Sequence, residues 1–258
     1  MTCVKMYMGR GIKRGNKSKM QPKIYDIHCH LVHNVDDGAH DIDMSMEMLR
    51  NAYNQGVRHI VCTSHSWCDV KKYNRNINAL KERVKKENIN INLYAGCEIR
   101  CSCNYIDDII DELNKGKLKT INDTDYVLVE FSPNEKKEEI VYCVNALLNE
   151  GYNPVIAHVE RYVNLRENIG LICFLNDIGV LFQVNAYSIS GEQKKEVKDA
   201  ARNLIQNKLV SFIGSDAHGT YHRAYAVQKG INYIYKNCSR DYANSICYKN
   251  AERMFNGN

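Results

Sequence analysis

Two histidines, His28 and His30, end a short β-prone segment near the start of the chain, and Asp36 and Asp37 follow within a few residues. Side chains two residues apart on a strand point to the same side, so one metal ion can use both imidazoles. A His-x-His pair alone is a weak signal, because surface and hydrogen-bonded histidine pairs have the same spacing. The other polar residues of the chain decide between these interpretations.

Metal-ligand residue types recur at the ends of apolar, strand-like segments throughout the chain. The predicted strands span residues 23–27, 57–64, 91–97, 126–129, 154–157, 180–184 and 209–215. The histidines and carboxylates at or just beyond their ends are His28, His30, His65, Glu98, Glu130, His158, Asp216 and His218. A random scatter of such residues would not follow the strand ends so regularly, and the pattern therefore predicts a metal site. Asn185, a poor metal ligand, is expected to line the pocket floor with residues 183–188.

Amphipathic segments of helical length separate the predicted strands. They span residues 43–55, 76–87, 105–114, 135–149, 165–177, 194–207 and 222–235. About seven β–α repeats in one domain predict an α/β fold with a parallel sheet closed into a barrel. The carboxyl ends of the strands of such a barrel meet at one mouth, so the eight ligand-type side chains should converge there.

Five segments of the chain carry a resemblance to a known family. They are Asp-Ile-His-Cys-His (26–30) with Val-Asp-Asp-Gly-Ala (35–39), Thr-Ser-His (63–65), Gly-Cys-Glu-Ile (96–99), Ala-His-Val-Glu-Arg-Tyr (157–162) and Gly-Ser-Asp-Ala-His (214–218). With them the chain resembles the PHP (polymerase and histidinol phosphatase) superfamily. Within it, the chain is similar to the bacterial manganese-dependent protein-tyrosine phosphatases of capsule and exopolysaccharide loci, the CpsB/CapC family. The Asp-Asp-Gly and His-x-Glu-Arg-Tyr segments are typical of this branch.

The resemblance implies a distorted (β/α)7 PHP-type barrel with the metal site at the C-terminal strand ends. It implies nine metal ligands, which are His28, His30, Asp37, His65, Glu98, Glu130, His158, Asp216 and His218. It also implies that Arg161 and Arg223 bind phosphate. The implied substrate is phosphotyrosine on a protein, and the implied partner is a membrane-associated bacterial tyrosine kinase that regulates polysaccharide synthesis.

Nine oxygen and nitrogen ligands are too many for one ion, and they predict two or three divalent ions bridged by carboxylates and hydroxide. Histidine with carboxylate suits manganese, iron or zinc, and the residues alone do not choose among them. The resemblance favours manganese. A bridging hydroxide would attack phosphorus, while the arginines would hold the phosphoryl oxygens through bidentate contacts.

Several residues near the motifs receive other roles. Asp26 is expected to orient a ligating histidine, Asp36 to cap the segment after it, and Glu160 to support a ligand or lie at the surface. The histidines assigned to exposed or structural positions are His33, His40, His59 and His222. Two loops depart from the family pattern, at residues 33–34 and at Ser-Trp-Cys-Asp 66–69, and both should border the substrate.

Composition bounds the domain organisation and the partners. The chain has 258 residues, 44% of them hydrophobic, which suits one barrel-sized domain, predicted over residues 21–258. Residues 1–20 form a basic segment predicted to be disordered. Its six lysines and arginines exceed the whole net charge of +5, so the remainder carries −1 and offers no basic surface for nucleic acid.

No apolar segment reaches membrane-spanning length, and the first 20 residues lack a signal-peptide core, so we predict a cytoplasmic protein. The 11 scattered cysteines agree with reduced thiols. The basic segment leaves open a peripheral attachment to anionic lipid at the inner face of the membrane. The plainer alternative is that it has no role and that Met20 is the true start. Homo-oligomerisation is also left open.

Three alternatives to a metal-dependent tyrosine phosphatase remain. The first is a PHP phosphatase for a small phosphomonoester such as histidinol phosphate. The second is a PHP-derived binding module without catalysis, which the intact ligand set opposes. The third is a thiol phosphatase, because Cys247 and Arg253 have the C-x5-R spacing. A phosphate-binding thiol loop needs glycines and a preceding strand, whereas this segment has neither and is predicted to be a C-terminal helix.

Overall fold

The computed structural model describes residues 23–191 and 193–256, and the basic segment predicted over residues 1–20 lies outside them. Seven parallel strands form one sheet in the order β1 to β7 along the chain. The strands are β1 Ile24–Cys29, β2 Val57–His65, β3 Asn92–Arg100, β4 Tyr126–Glu130, β5 Asn153–Ile156, β6 Leu181–Asn185 and β7 Phe212–Gly214. The predicted seven-stranded parallel architecture is confirmed.

Helices connect the strands and cover the outside of the sheet. The α-helices are α1 Ile42–Asn54, α2 Val70–Lys86, α3 Ile106–Asn114, α4 Lys137–Asn149, α5 Val163–Arg166, α6 Ile169–Asp177, α7 Ala186–Ser190, α8 Lys195–Gln206, α9 Gln228–Asn237, α10 Arg240–Asn244 and α11 Asn250–Asn256. Short 3-10 turns at Ile121–Asp123 and Val159–Arg161 and a π-helical turn at Ser245–Lys249 complete the connections.

The sheet closes into a nearly complete barrel at the ends of β1 and β7. The backbone N–H of Asp216 donates to the carbonyl oxygen of His28 at 2.7 Å, and that of His30 donates to Ala217 at 2.9 Å. Cys29 and Ala217 form an isolated parallel bridge. The closure therefore occurs where the candidate ligands lie, and it brings the first and last motifs of the chain together.

Two apolar clusters hold the barrel together. The larger one packs the sheet against the surrounding helices. The smaller one includes Tyr25, Ile27, Leu128 and Phe212, together with Met254 of α11 at one end. Burial of these side chains supplies the main driving force for the fold.

Three predicted helices differ from the observed ones. The helix predicted over residues 76–87 begins at Val70, because Asp69 caps it by accepting from the backbone N–H of Lys72. The segment predicted as one helix over residues 165–177 is split into α5 and α6, because Asn168 caps a new helix by accepting from the backbone N–H of Leu171. The segment predicted over residues 222–235 becomes helical only at Gln228, since residues 219–227 form the loop that carries Arg223. Apolar periodicity continues across both breaks and conceals them.

Within residues 23–191 and 193–256, none of the helices has both the length and the apolar composition needed to cross a bilayer.

Candidate metal centre

The end of β1 places two histidines inside the barrel mouth. The pairing of β1 with β2 shifts register between Asp26 and Cys29. This irregularity lets Ile27 and His28, although adjacent in sequence, both contribute to the interior. His28 and His30 are fully buried on the same side, as predicted, with their Nε2 atoms 3.3 Å apart. The thiol of Cys29 packs into the outer core, away from them.

The Asp-Asp-Gly loop lies against His30. A Cβ atom on Gly38 would lie 2.3 Å from the carbonyl oxygen of His30, so only glycine permits this approach. Asp36 Oδ2 lies 2.8 Å from His30 Nδ1 and accepts from the backbone N–H of His65 at 3.0 Å. Asp37, 58% exposed at its side chain, points to the mouth, with Oδ1 3.4 Å from Nε2 of both His65 and His218. Asp36 therefore orients a histidine, and Asp37 remains available to an ion.

Glu98, from the end of β3, lies at the centre of the cluster. Its Oε1 is 3.2 Å from His28 Nε2 and 2.9 Å from His158 Nε2. Its Oε2 is 3.1 Å from His30 Nε2 and 3.2 Å from His65 Nδ1. The carboxylate is 1% exposed and faces four imidazoles, which suits a ligand that bridges ions.

Three residues of the site adopt left-handed backbone conformations. The φ angles are 35° for His158, 51° for Asp216 and 48° for Arg223. Such angles are uncommon for residues other than glycine and persist only where surrounding contacts impose them. His158 directly precedes the 3-10 turn at Val159–Arg161, and Arg223 lies in the 219–227 loop.

All nine candidate ligands lie in four overlapping groups in which the ligand atoms are within 4.8 Å of one another. The groups are His30, Asp37, His65 and His218; His28, His30 and Asp216; His28, Glu98 and His158; and His65, Glu98 and Glu130. Because His28, His30, His65 and Glu98 each belong to two groups, the groups describe one continuous centre. A centre with shared ligands is suited to more than one ion.

Hydrogen bonds around His28 and His30 indicate that a cation fits between them. Gln183 Oε1 accepts from the backbone N–H of His158 and lies 2.9 Å from His28 Nδ1, so Nδ1 must carry the proton of His28. The contact of His30 Nδ1 with Asp36 fixes the proton of His30 in the same way. Both Nε2 lone pairs then face each other at 3.3 Å. Two neutral rings in this arrangement repel each other unless a proton or a metal ion lies between them, and a metal ion can use both lone pairs.

Two further histidine nitrogen atoms, one of His65 and one of His218, are also placed to bind a metal ion. Among the described residues, no hydrogen-bond partner is found for His65 Nδ1 or His218 Nε2, although both are buried. Burial lowers the pKa of His218 to about 2, so its ring is neutral, as metal binding requires. Buried nitrogens are seldom left unsatisfied, and here they point toward carboxylates.

The carboxylates of the centre are held in their ionised form. Burial alone would raise the pKa of Asp36, but the hydrogen bond and charge of His30 lower it to about 2. Burial also opposes ionisation of Glu98, yet its contacts with His28, His158 and His30 lower its pKa. Asp216 behaves likewise because His28 and two arginines face it.

Two polar side chains of β6, Gln183 and Asn185, form a line of hydrogen bonds that ends at Asp216. Gln183 Nε2 donates to Asn185 Oδ1 at 2.8 Å, and Asn185 Nδ2 donates to Asp216 Oδ2 at 2.9 Å. Gly214 makes room for it, because a Cβ atom there would lie 2.8 Å from Gln183 Nε2. The sequence placed this segment at the pocket floor but did not assign Gln183 a role. Its signal was a polar residue inside an otherwise apolar strand.

The two predicted arginines lie beside the centre. Arg161 Nη2 is 2.9 Å from Asp216 Oδ2 and also donates to the hydroxyl of Tyr187. Arg223 Nη1 is 3.7 Å from Asp37 Oδ2. Both guanidinium groups are partly exposed at the mouth, so an anion placed on the centre can reach them.

Asp26 has a role other than the predicted one, and one of the two roles predicted for Glu160 is excluded. Asp26 contacts the backbone N–H of His28 and not its ring, and it also accepts from Ser215 N and the hydroxyl of Tyr225. It fastens β1 to the end of β7, and Gln183 orients the His28 ring instead. Glu160 is fully buried and accepts from the backbone N–H of Asn185, so it is not a surface residue.

Cys247 lies in the π-helical turn before α11 and is fully buried. Burial raises its pKa to about 12, so the thiol remains protonated at neutral pH. The helical context predicted for this cysteine is confirmed, and the thiol is not an activated nucleophile.

A family model described as capsular polysaccharide synthesis, CpsB/CapC, matches residues 24–256. The chain belongs to this family. The match covers every strand of the barrel and all nine candidate ligands.

Relatives named as tyrosine-protein phosphatases are similar along most of their length. The chain is 34% identical to tyrosine-protein phosphatase YwqE of Bacillus subtilis, over 82% of this chain and 84% of the relative. It is 32% identical to tyrosine-protein phosphatase CpsB of Streptococcus pneumoniae, over 89% and 97%. A solved chain from the work on YwqE and CpsB, described as unique metal-dependent tyrosine phosphatases, superposes with a TM-score of 0.81 at 32% identity. That match covers 90% of this chain and 94% of the solved one.

Histidinol phosphate phosphatase from Lactococcus lactis shares the barrel with a TM-score of 0.56 but only 16% identity, covering 84% of this chain and 95% of that one. At this identity the likeness concerns the fold alone. The PHP-type barrel expected from the sequence is thus confirmed.

Proposed function

We propose that this chain is a metal-dependent protein-tyrosine phosphatase whose reaction takes place at the nine-residue cluster. The observation that carries the proposal is the pair of facing Nε2 atoms of His28 and His30, each within 3.2 Å of Glu98. Membership of a family whose relatives bear the name tyrosine-protein phosphatase supports the substrate class.

The nine side chains would hold two or three divalent ions. Such ions would lower the pKa of water from about 16 to about 7, which makes hydroxide available as the nucleophile, and would place positive charge beside the phosphoryl group. Arg161 and Arg223 bind the phosphoryl oxygens and stabilise the charge that develops on them. Asp216 and Tyr187 hold the Arg161 guanidinium in place, and Asp37 and Asp216 hold that of Arg223.

Manganese is the proposed native metal, supported by the resemblance to manganese-dependent phosphatases, while the ligand set also suits iron and zinc. The proposed substrate is a membrane-associated bacterial tyrosine kinase that controls capsular or exopolysaccharide synthesis. The family's description supports the link to capsule synthesis. We place the reaction in the cytoplasm, with residues 21–258 forming the phosphatase domain.

Turnover of a phosphotyrosine peptide and of histidinol phosphate tests the proposal directly. We expect Mn²⁺ to support hydrolysis of the peptide, chelator to abolish it, and histidinol phosphate to be the poorer substrate. His158→Ala should abolish turnover, whereas His40→Ala, which removes an exposed histidine outside the cluster, should not. Preference for histidinol phosphate, or peptide turnover that survives chelation, would reject the proposal.

A further inference from the structure

A cleft of about 490 Å³ lies at the rim of the metal centre, beside the ends of β2 and β3. Trp67, Arg100 and Tyr105 are among its lining residues, and none of the nine candidate ligands is. Cavities of roughly 300–1,000 Å³ are typical of sites that hold small ligands. The cleft is therefore large enough to bind part of a substrate without being the reaction centre itself.

Two contacts join this cleft to the centre. The Trp67 ring stacks on the His65 ring, with centroids 3.9 Å apart and planes 16° apart. Arg100 Nη1 lies 3.5 Å from Glu130 Oε2. Because His65 and Glu130 are both candidate ligands, a substrate with its phosphate on the centre has the cleft immediately beside it.

One face of Trp67 is left open to solvent. The residue is 62% exposed, although a tryptophan ring gains more from burial than most side chains do. Tyr105, 39% exposed, lines the same cleft. An open indole face beside a phosphate-directed centre is a suitable surface for a second aromatic ring.

We propose that the exposed face of Trp67 is an aryl subsite, which packs against the ring of the phosphotyrosine substrate and makes the enzyme prefer aryl to alkyl phosphate groups. This inference rests on the proposed function and deepens it. The stacking of Trp67 on His65 fixes the position of the indole relative to the metal centre. When the phosphate of a substrate lies on the centre, the phenyl ring attached to it can therefore lie over the exposed face of the indole.

A pair of phosphonates isolates the contribution of the ring, since neither compound is hydrolysed. Benzylphosphonate carries a methylene group in place of the ester oxygen of phenyl phosphate, and methylphosphonate has the same anionic group without a ring. Dissociation constants are measured by calorimetry on the Mn²⁺-loaded enzyme. We expect benzylphosphonate to bind about tenfold more tightly than methylphosphonate, in line with one aromatic contact.

Three variants separate the subsite from a role in supporting His65. Trp67→Ala should remove the tenfold preference while methylphosphonate affinity and metal content stay unchanged, and Trp67→Phe should keep most of the preference. Phe174→Ala, which removes an exposed aromatic residue of α6, is the matched control and should change neither constant. Equal weakening of both phosphonates, or an unchanged preference, in Trp67→Ala would overturn the subsite.

Intrinsic fluorescence gives a second readout, because Trp67 is the only tryptophan of the chain. Benzylphosphonate should shift or quench its emission far more than methylphosphonate does. Peptide turnover with no difference between the two phosphonates would reject the subsite and leave the proposed function intact. Absence of phosphotyrosine turnover, with the ring-dependent shift present, would reject the function and leave the aryl subsite.

Discussion

Arg223 Nη2 lies 2.6 Å from Asp216 Oδ1, so a guanidinium proposed to bind phosphate already contacts a proposed metal ligand. Asp216 is fully buried, and its other oxygen contacts Arg161. One carboxylate therefore contacts both of the arginines proposed to bind phosphate and is itself a proposed metal ligand. An arriving phosphate would compete with Asp216 for both arginines.

Replacing Arg161 or Arg223 with alanine should lower kcat/KM by about 10²–10³, as expected for the loss of one group that stabilises transition-state charge. Phosphate inhibition should weaken, while metal content stays normal. Lysine should restore only part of the activity, because a point charge cannot reproduce a bidentate contact. Kinetics near those of the wild type, accompanied by a lower melting temperature, would assign both arginines a purely structural role.

Gln183→Leu should weaken metal affinity by about 10- to 100-fold, because it removes the acceptor that keeps the proton of His28 on Nδ1. Gln183→Glu retains an acceptor and should lose less. Metal titration of the apo protein measures the effect, and Gln206→Leu at an exposed position on α8 is the matched control. An affinity unchanged in Gln183→Leu would show that the His28 ring is oriented without the amide.

The unfolding free energy should fall on acidification partly through His59. Its ring stacks on Tyr25 at 3.9 Å, its Nδ1 lies 2.8 Å from the Tyr94 hydroxyl, and burial, with a contribution from Lys23, lowers its pKa to about 4. Between pH about 6.5 and about 4 the unfolded chain binds more protons than the folded one, so stability decreases as pH falls through this range.

Because solvent partly screens the ring, we expect His59 to contribute about 1–2 kcal/mol to the unfolding free energy that is lost on acidification. Urea unfolding at pH 7 and at pH 4.5, with equal metal content, measures this contribution in the wild type and in His59→Phe. The variant should lose less unfolding free energy than the wild type between the two pH values. Equal losses in both proteins would mean that His59 takes no part in the acid response.

Much of the fold and the site could be predicted because local patterns encode them. The apolar segments before His65, Glu98 and His158 are β-strands, each with that residue within two positions of its end, and parallel packing brings the ends together. The break at Asn168 was missed because the capping contact interrupts a helix without changing its apolar periodicity.

Other features depend on contacts between residues that are distant in sequence. Gln183 orients His28 across 155 residues, and Tyr225 donates to Asp26 across 199. A polar residue inside an apolar strand, as Gln183 is, indicates a special position, but no local pattern names the distant partner that it contacts. The stacking of Trp67 on His65 is local, but its open face is revealed only by the cleft beside it.

The metal content of active protein tests the central claim most directly. Nine ligands in four overlapping groups predict more than one ion per chain, and elemental analysis of protein that hydrolyses phosphotyrosine should give two or three. Removing Glu98, which contacts histidines with both of its oxygens, by Glu98→Gln should lower that number together with activity. Fully active protein with one ion per chain, or none, would contradict the account.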